Sequence, residues 1–294
     1  MSPTEFPHNN DNTVRLSKRL AEQLQCSRSE AELYIEAGAV QVDGQTVEQA
    51  GARVGPAQVL TVTAGAKPEP VPPVTLLLHK PAGYSVQAGG PRSALDLLVP
   101  ERWNQGDTPA PIRLLHKHFQ HLECLEPLPV PASGLTVFTQ DRRVARKLTE
   151  DVLYLEQECI AQVQGQLDAE GLERLCNGTA IPGKRLPRTK VSWQSDHHLR
   201  FALKGIYPEE IEAMCAGVGL KLLGLKRLRM GRISMAKLAE GQWRYAMPWE
   251  RFCVGAARRP RTLARPGRAF FLCPAFVPGG LICCGCGSSP RPGR

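Results

Sequence analysis

Three cations near the start of the chain, Arg15, Lys18 and Arg19, have the spacing of a phosphate-binding surface. They fall within one turn of a helix, so their side chains can share one positive face. Arginine and lysine on such a face bind nucleic-acid phosphates without reading sequence. Arg28 adds a fourth cation. Because acids in the same segment offset these charges, the alternative interpretation is an ordinary solvated helix surface.

Histidines and cysteines give weaker indications of chemistry. The run His116-Lys117-His118 could contact a metal or a phosphate, but such alternation is more typical of a solvated basic face. Cys159 lies at an apolar strand position, which favours a buried, inert thiol over a reactive one. Four tail cysteines lack the paired spacing of a zinc site, so no metal is predicted. They are Cys273, Cys283, Cys284 and Cys286.

Length and composition indicate a folded protein of one or two domains. The chain has 294 residues, of which 42% are hydrophobic, enough for buried cores. Its net charge is +9, but residues 253–294 hold seven arginines and no acid, which leaves +2 for residues 1–252. The polar start argues against a secretory signal, and the longest apolar stretch is too short and proline-rich to span a membrane. We therefore expect a cytoplasmic protein in which local basic faces, and not overall charge, bind any nucleic acid.

The first folded segment follows residues 1–12, which we expect to be disordered. Leu16, Leu20 and Leu24 recur every four residues and predict an amphipathic helix. Ser27-Arg28-Ser29-Glu30 has the pattern of a capping box at the start of a second helix, which Gly38 ends. Alternating valines around Asp43-Gly44 then predict a hairpin, with another strand at residues 59–62.

This order, RLSKRLAEQLQCSRSEAELYIEAGAVQVDGQTV, closely resembles the alpha-L RNA-binding domain, also called S4-like, over residues 14–64. The resemblance implies that the basic faces of the two helices bind RNA backbone through Arg15, Lys18, Arg19 and Arg28. We assign residues 13–65 to this domain. A proline-rich linker, AKPEPVPP, follows in residues 66–74.

Residues 75–252 are predicted to form a second domain of the α+β class. Apolar runs at residues 74–79 and 134–139 indicate buried strands, residues 142–148 a short basic helix, and residues 222–230 a further strand. Residues 87–112 are mostly loop. Strands with a few interspersed helices favour a mixed, mainly antiparallel sheet over a regular parallel array.

Four stretches of this domain resemble the bacterial pseudouridine synthases that modify small- and large-subunit ribosomal RNA. They are LLLHKPAGY, LPVPASGLTVFTQD, LEQECIAQVQG and GLKLLGLKRLRMGRISMAKLAEGQWRYAMPWE. The resemblance implies isomerisation of uridine to pseudouridine in structured rRNA, or in tRNA, by a monomer that needs no cofactor. Lys80, in the Lys-Pro-x-Gly motif, is a further candidate RNA contact, and the alternative is that this motif simply shapes a turn.

The family carries out this reaction with one aspartate carboxylate, which a buried arginine holds ionised. Arg227 matches that arginine, but the aspartate position is Pro129, and proline has no carboxylate. Gln157 and Cys159 replace the family's lysine and tyrosine. A substitute acid could come from Glu123, Glu126 or Asp96. Asp141 is expected to cap the following helix.

Two functions therefore remain open. One is an active synthase with an unrecognised acid. The other is a catalytically silent RNA-binding or ribosome-assembly factor, which could act through its N-terminal domain alone. Residues 253–294 match neither domain, and we expect a disordered extension or the product of a shifted reading frame.

Overall fold

The computed structural model of the chain describes residues 13–87, 92–106 and 112–252. The expectations for residues 1–12 and for the tail from residue 253, including its cysteines, lie outside the described residues. Among the helices that are described, none is long and apolar enough to cross a membrane.

The N-terminal part consists of two helices and short strands around a core of its own. Its elements are β1 (Val14–Arg15), α1 (Leu16–Leu24), α2 (Arg28–Glu36), β2 (Val40–Val42), β3 (Gln45–Thr46), β4 (Arg53–Val54) and β5 (Leu60–Val62). Strands β3, β2 and β5 pair in that order, and β1 pairs with β4. Leu16 and Leu20 are fully buried in this core, whereas Leu24, at the end of α1, is 37% exposed.

The local signals predicted in this part are confirmed. The Ser27 hydroxyl accepts from the Glu30 amide, and the Glu30 carboxylate accepts from the Ser27 amide, so the capping box is complete. Asp43 and Gly44 both have positive φ, 51° and 81°, as a tight hairpin turn requires. Gly38 has φ 65° directly after α2.

A second group of elements follows the linker, which contains no helix or strand at residues 66–74. The strands are β6 (Thr75–Lys80), β7 (Glu123–Leu125), β8 (Ser133–Thr139), β9 (Glu156–Gln164), β10 (Lys190–Ser195), β11 (His198–Lys204), β12 (Lys221–Met230), β13 (Ile233–Ser234) and β14 (Trp243–Tyr245). The α-helices are α3 (Arg142–Glu150), α4 (Ala169–Asn177) and α5 (Glu210–Ala216). Short 3-10 helices occur at Ala94–Leu97, Pro100–Arg102, His116–Phe119 and Val152–Tyr154.

Nine of the described strands form one mixed sheet with the order β10-β11-β9-β12-β8-β6-β14, to which β13 and β7 add at β12 and β8. All its pairs are antiparallel except β8 with β12. The predicted α+β fold with a mainly antiparallel sheet is therefore confirmed. The parallel pair was not foreseen, because hydrophobic patterns identify strands but not their partners.

The parallel pair depends on Gly134, which lies opposite Arg227 in the β8–β12 register. Gly134 has φ 112°, and a Cβ atom there would overlap the backbone of Arg227. Only glycine combines this backbone conformation with so close an approach. Arg227 can therefore occupy its position in the sheet only because Gly134 has no side chain.

The two parts of the chain meet at the 3-10 helix His116–Phe119. The Lys117 ammonium pairs with the Glu36 carboxylate of α2 at 2.8 Å, and the His116 amide donates to Glu48 at 2.6 Å. His118 is buried and its Nδ1 lies 2.8 Å from the Tyr245 hydroxyl. The expectation of a solvated basic face holds for His116, whose side chain is exposed. It is wrong for Lys117 and His118, whose side chains contact the N-terminal part and the core.

Replacing Gly134 with alanine should destabilise the protein by about 3 kcal/mol or more, because both backbone strain and overlap with Arg227 result. Gly183 is a matched control, since it has φ 73° but open space around its Cβ position. Gly183→Ala should cost only about 1–2 kcal/mol. Urea unfolding followed by tryptophan fluorescence measures both. Equal losses would contradict the role of close approach at Gly134.

Candidate functional site

Arg227 lies at the centre of the sheet with its guanidinium fully buried. Its Nε donates to the Leu135 carbonyl at 2.8 Å, one Nη donates to the Gln157 side-chain oxygen at 2.9 Å, and the other donates to the Glu126 carbonyl at 2.8 Å. Within the described residues, no carboxylate forms an ion pair with Arg227 at salt-bridge distance. A buried cation is thus held by neutral oxygens.

Of the substitute acids considered, Glu126 is the one whose charge the structure couples to Arg227. Its carboxylate accepts a hydrogen bond from Gln157 at 3.1 Å, and the same Gln157 side chain accepts from Arg227. Burial raises the pKa of Glu126 above its usual range, and the positive charge of Arg227 opposes that shift. Glu123 and Asp96, in contrast, are exposed.

The backbone of Glu126 is unusual for its residue type. Its φ is 53°, in the left-handed region that glycine prefers. Such a conformation costs a residue with a side chain on the order of 1–2 kcal/mol. Strained residues of this kind concentrate at functional sites, where the surrounding structure fixes them. Gln25, Asp43, His121 and Ala236 share this conformation, so the positive φ by itself assigns no role to Glu126.

Pro129 lies in the loop that joins β7 to β8, three residues after Glu126. Its carbonyl accepts from the Ala132 amide at 3.0 Å, which closes a tight turn before β8. A small pocket of about 110 Å³ opens beside Pro129, and Pro208, Glu209 and Leu225 also line it. Pro129, at the position of the family's aspartate, therefore borders a cavity but has no carboxylate.

Lys80 is placed differently from the expectation. It is fully buried, and its ammonium donates to the carbonyls of Pro81, Tyr84 and Val130. Burial and the charge of Arg227 lower the pKa of Lys80 to about 8. The prediction that Lys80 contacts RNA is wrong, since its three donors bind the loops around Pro81 and Val130.

The four N-terminal cations divide into two kinds. Arg15, Lys18 and Arg28 are exposed, and Arg28 pairs with Glu32 one turn later at 3.3 Å. The Arg19 guanidinium instead donates to the carbonyls of Gly55, Pro56 and Gln58. Arg19 is therefore corrected from a free phosphate contact to a residue that shapes the loop at residues 55–58.

Cys159, at the family's tyrosine position, is buried in the core, and burial raises the pKa of its thiol to about 12. The inert-thiol interpretation fits this placement. The exposed aromatic ring of Tyr207 was missed in the sequence, because it follows an ordinary Gly-Ile turn. Burial and then the Glu126 charge raise the pKa of its phenol, so the two side chains are electrostatic neighbours.

A larger concavity of about 550 Å³ lies elsewhere on the sheet, over Ile160, Lys226 and His198. Neither Glu126 nor Arg227 lines it, and Lys226 alternates with Arg227 along β12 and so faces the opposite side. In the described ranges, no three His, Cys, Asp or Glu side chains are grouped to hold a metal ion. The arrangement around Arg227 therefore offers one buried cation and one half-buried carboxylate. The small pocket beside Pro129 is lined by neither of these two residues.

Comparisons with known proteins agree with this architecture. The S4 domain family matches residues 14–60. An uncharacterized RNA pseudouridine synthase of Aquifex aeolicus is 28% identical over 234 residues, covering 79% of this chain and 92% of the relative. The dual-specificity RNA pseudouridine synthase RluF of Escherichia coli is 27% identical over 237 residues, covering 80% of this chain and 76% of RluF.

A crystal structure of a pseudouridylate synthase shares the fold. It aligns with a TM-score of 0.50 and 18% identity, covering 80% of this chain and 96% of the other. Each of these relatives aligns with about four fifths of this chain. The chain is therefore similar to RNA pseudouridine synthases over most of its length, and its residues 14–60 match the S4 domain.

Proposed function

We propose that the protein isomerises uridine to pseudouridine in structured RNA, with rRNA the first candidate substrate and tRNA the second. The observation that carries the proposal is the buried Arg227 guanidinium with the Glu126 carboxylate coupled to it through Gln157. A buried arginine that orients and ionises one carboxylate is the arrangement the reaction requires. We further propose that the protein acts in the cytoplasm as a monomer without a cofactor.

Glu126 is our candidate for the carboxylate that Pro129 cannot supply. It is three residues from Pro129 in the same loop, and its longer side chain can compensate for part of a backbone displacement. The Glu126 side chain is half-buried, and its carboxylate accepts a hydrogen bond from the buried Gln157 side chain. A carboxylate whose pKa burial has raised is also a better proton acceptor than an ordinary glutamate.

The chemistry is an isomerisation, so the composition of the RNA does not change. The bond between ribose C1′ and uracil N1 breaks, the base rotates, and a bond forms between C1′ and C5. The C5 proton is lost and N1 gains a proton. In this proposal Glu126 acts as nucleophile or base, Arg227 keeps it ionised, and exposed Tyr207 is the candidate surface for a base flipped out of the RNA.

RNA recognition is proposed for the exposed cations of the S4 domain, Arg15, Lys18 and Arg28. Arg15 directly precedes α1, Lys18 lies on α1, and Arg28 begins α2. All three side chains are exposed, so phosphates can reach them. The ion pair of Arg28 with Glu32 is a surface pair, which costs little to exchange for a phosphate.

A second function is favoured by two substitutions. Pro129 removes the family carboxylate, and Cys159 removes the family tyrosine. If Glu126 only balances the charge of Arg227, the protein is a catalytically silent RNA-binding or ribosome-assembly factor. Only the first of the two proposals predicts that the protein forms pseudouridine.

Pseudouridine formation separates the two functions. The protein is incubated with rRNA and with tRNA from a strain that lacks it, and pseudouridine is mapped by chemical labelling. We expect new sites with the wild type and a loss of roughly 10²-fold or more in rate with Glu126→Gln, which keeps the shape but removes the charge. Glu123→Gln and Asp96→Asn, both at exposed acids, should retain full activity.

The outcomes of this assay are distinguishable. No pseudouridine with the wild type would reject the enzyme in favour of the silent factor. An active wild type with an equally active Glu126→Gln variant would keep the enzyme and reject Glu126.

The pH dependence of kcat/KM tests the state of Glu126. An ionised carboxylate is required, and burial raises its pKa above 4.5, so activity should fall with decreasing pH through a midpoint above that value. Gln157→Leu removes a hydrogen bond that lowers this pKa and should move the midpoint to higher pH. Gln162→Leu, at an exposed position of the same strand, is the control. A midpoint that stays or falls in Gln157→Leu would contradict the assignment.

Lys18 and Lys80 should behave oppositely when replaced by methionine. Lys18→Met should weaken RNA binding and reduce the steepness of its salt dependence, with little effect on stability. Lys80→Met leaves three loop carbonyls without a donor and should destabilise the fold by about 2–4 kcal/mol, while the salt dependence of RNA binding is unchanged. Filter binding across salt concentrations and urea unfolding measure the two effects. Reduced salt dependence in Lys80→Met would restore Lys80 as an RNA contact.

A further inference from the structure

We propose that the exposed face of α3 formed by Arg142, Arg143 and Arg146 is a second RNA-binding surface, separate from the S4 domain. This α3 basic face would bind the phosphate backbone of the same structured RNA. The inference does not depend on the proposed catalytic activity, because it holds equally for an enzyme and for a silent RNA-binding factor.

The geometry of α3 separates its charged side from its apolar side. At about 100° per residue, Arg142, Arg143 and Arg146 fall within one third of the helix circumference. Leu148 and Val144 fall on the opposite side, where Leu148 is 1% exposed and both pack in the core beside β8. All three arginine side chains are exposed. The helix is therefore held by its apolar side and presents its guanidinium groups outward.

Within the part of the chain that the structure describes, none of these three arginines is paired with an acid, in contrast to several arginines of the sheet. Arg200, Arg229 and Arg244 all pair with glutamates. Across residues 13–87, 92–106 and 112–252, no salt bridge involves the α3 basic face. Its guanidinium groups are thus available to an external anion.

The position of these charges is unfavourable for the helix itself. Arg142 and Arg143 occupy the first turn, where the helix dipole is positive, and each cation there costs roughly 0.3–1 kcal/mol. Only Asp141, the N-cap, offsets this by accepting from the Arg143 amide. Helix stability therefore gives no reason for three arginines at this end, whereas binding of an anion does.

The α3 basic face lies beside the junction with the S4 domain. The Gln140 side chain, two residues before α3, donates to the carbonyls of Lys117 and Gln120 at 2.7 and 2.5 Å. Lys117 in turn pairs with Glu36 at the end of α2. This chain of contacts connects the start of α3 to the RNA-binding domain, so one RNA can contact both.

RNA is favoured as the partner by the residue types present. Arginine donors match two phosphate oxygens at once, which lysine cannot do. Tyr154, in the 3-10 helix that packs beside the end of α3, is 38% exposed and offers a ring on which a base can stack. Tyr154 lies beyond the opposite end of α3 from Arg142, so an RNA that contacts both must extend along the helix.

The test replaces Arg142, Arg143 and Arg146 together with glutamine in the full-length protein. The probe is a synthetic RNA stem-loop with a uridine-rich loop, and Kd is measured from low to physiological salt. Loss of three phosphate contacts should weaken binding by roughly 10-fold or more at physiological salt and reduce the slope of log K against log salt by about 2–3. Thermal unfolding should show an unchanged or slightly higher Tm, since cations leave the first turn.

A control variant that loses three positive charges elsewhere distinguishes the effect of the α3 basic face from the effect of a lower net charge. Arg185, Arg232 and Lys237 are exposed and replaced with glutamine in the same way. This control should change Kd by less than about two-fold. The proposal is overturned if the α3 variant binds the stem-loop normally, or if both variants lose affinity equally. Normal RNA binding with lost binding to phosphatidylserine vesicles would assign the face to a membrane surface and also overturn it.

Discussion

The burial of one guanidinium group is the constraint on which the centre of the sheet depends. A charge removed from water must be compensated by hydrogen bonds, and each of the three nitrogens of the Arg227 guanidinium donates one, to two carbonyls and one side-chain amide. Those oxygens come from β8, from β9 and from the loop that precedes β8. Strands β8, β9 and β12 must therefore be in place before the charge is stable. The absent Cβ of Gly134 makes that approach possible.

The same region buries a second cation. Lys80 fixes the loop after β6 and the loop around Val130, while Arg227 fixes the loop at Glu126. Both ends of the segment that carries Pro129 are thus anchored by buried positive groups. The segment is therefore held in place although Pro129 itself has no carboxylate. The charge of Arg227 lowers the pKa of the half-buried Glu126, while burial raises it.

Local features of the structure could be predicted from the sequence, and non-local ones could not. The Ser27–Glu30 capping box and the Asp43-Gly44 turn depend on neighbouring residues only, so their patterns were sufficient. The exposure of Lys80 and the free charge of Arg19 were misjudged, because burial and carbonyl partners are set by segments up to 50 residues away. The positive φ of Glu126 had no signal in the sequence, since left-handed backbone is anticipated at glycine and not at glutamate. The resemblance located Arg227 and the gap at Pro129, but not the acid that faces them.

The contact of Lys117 with Glu36 has a consequence for how substrates are selected. A proline-rich linker alone acts as a semi-rigid spacer and leaves the orientation of the S4 domain open. The contacts of Lys117 with Glu36 and of His116 with Glu48 restrict that orientation. For an RNA stem bound by the N-terminal helices, the distance between the S4 domain and the site then determines which nucleotide of the RNA can enter the site. Selectivity among uridines can in this way come from length, without any side chain that reads a base.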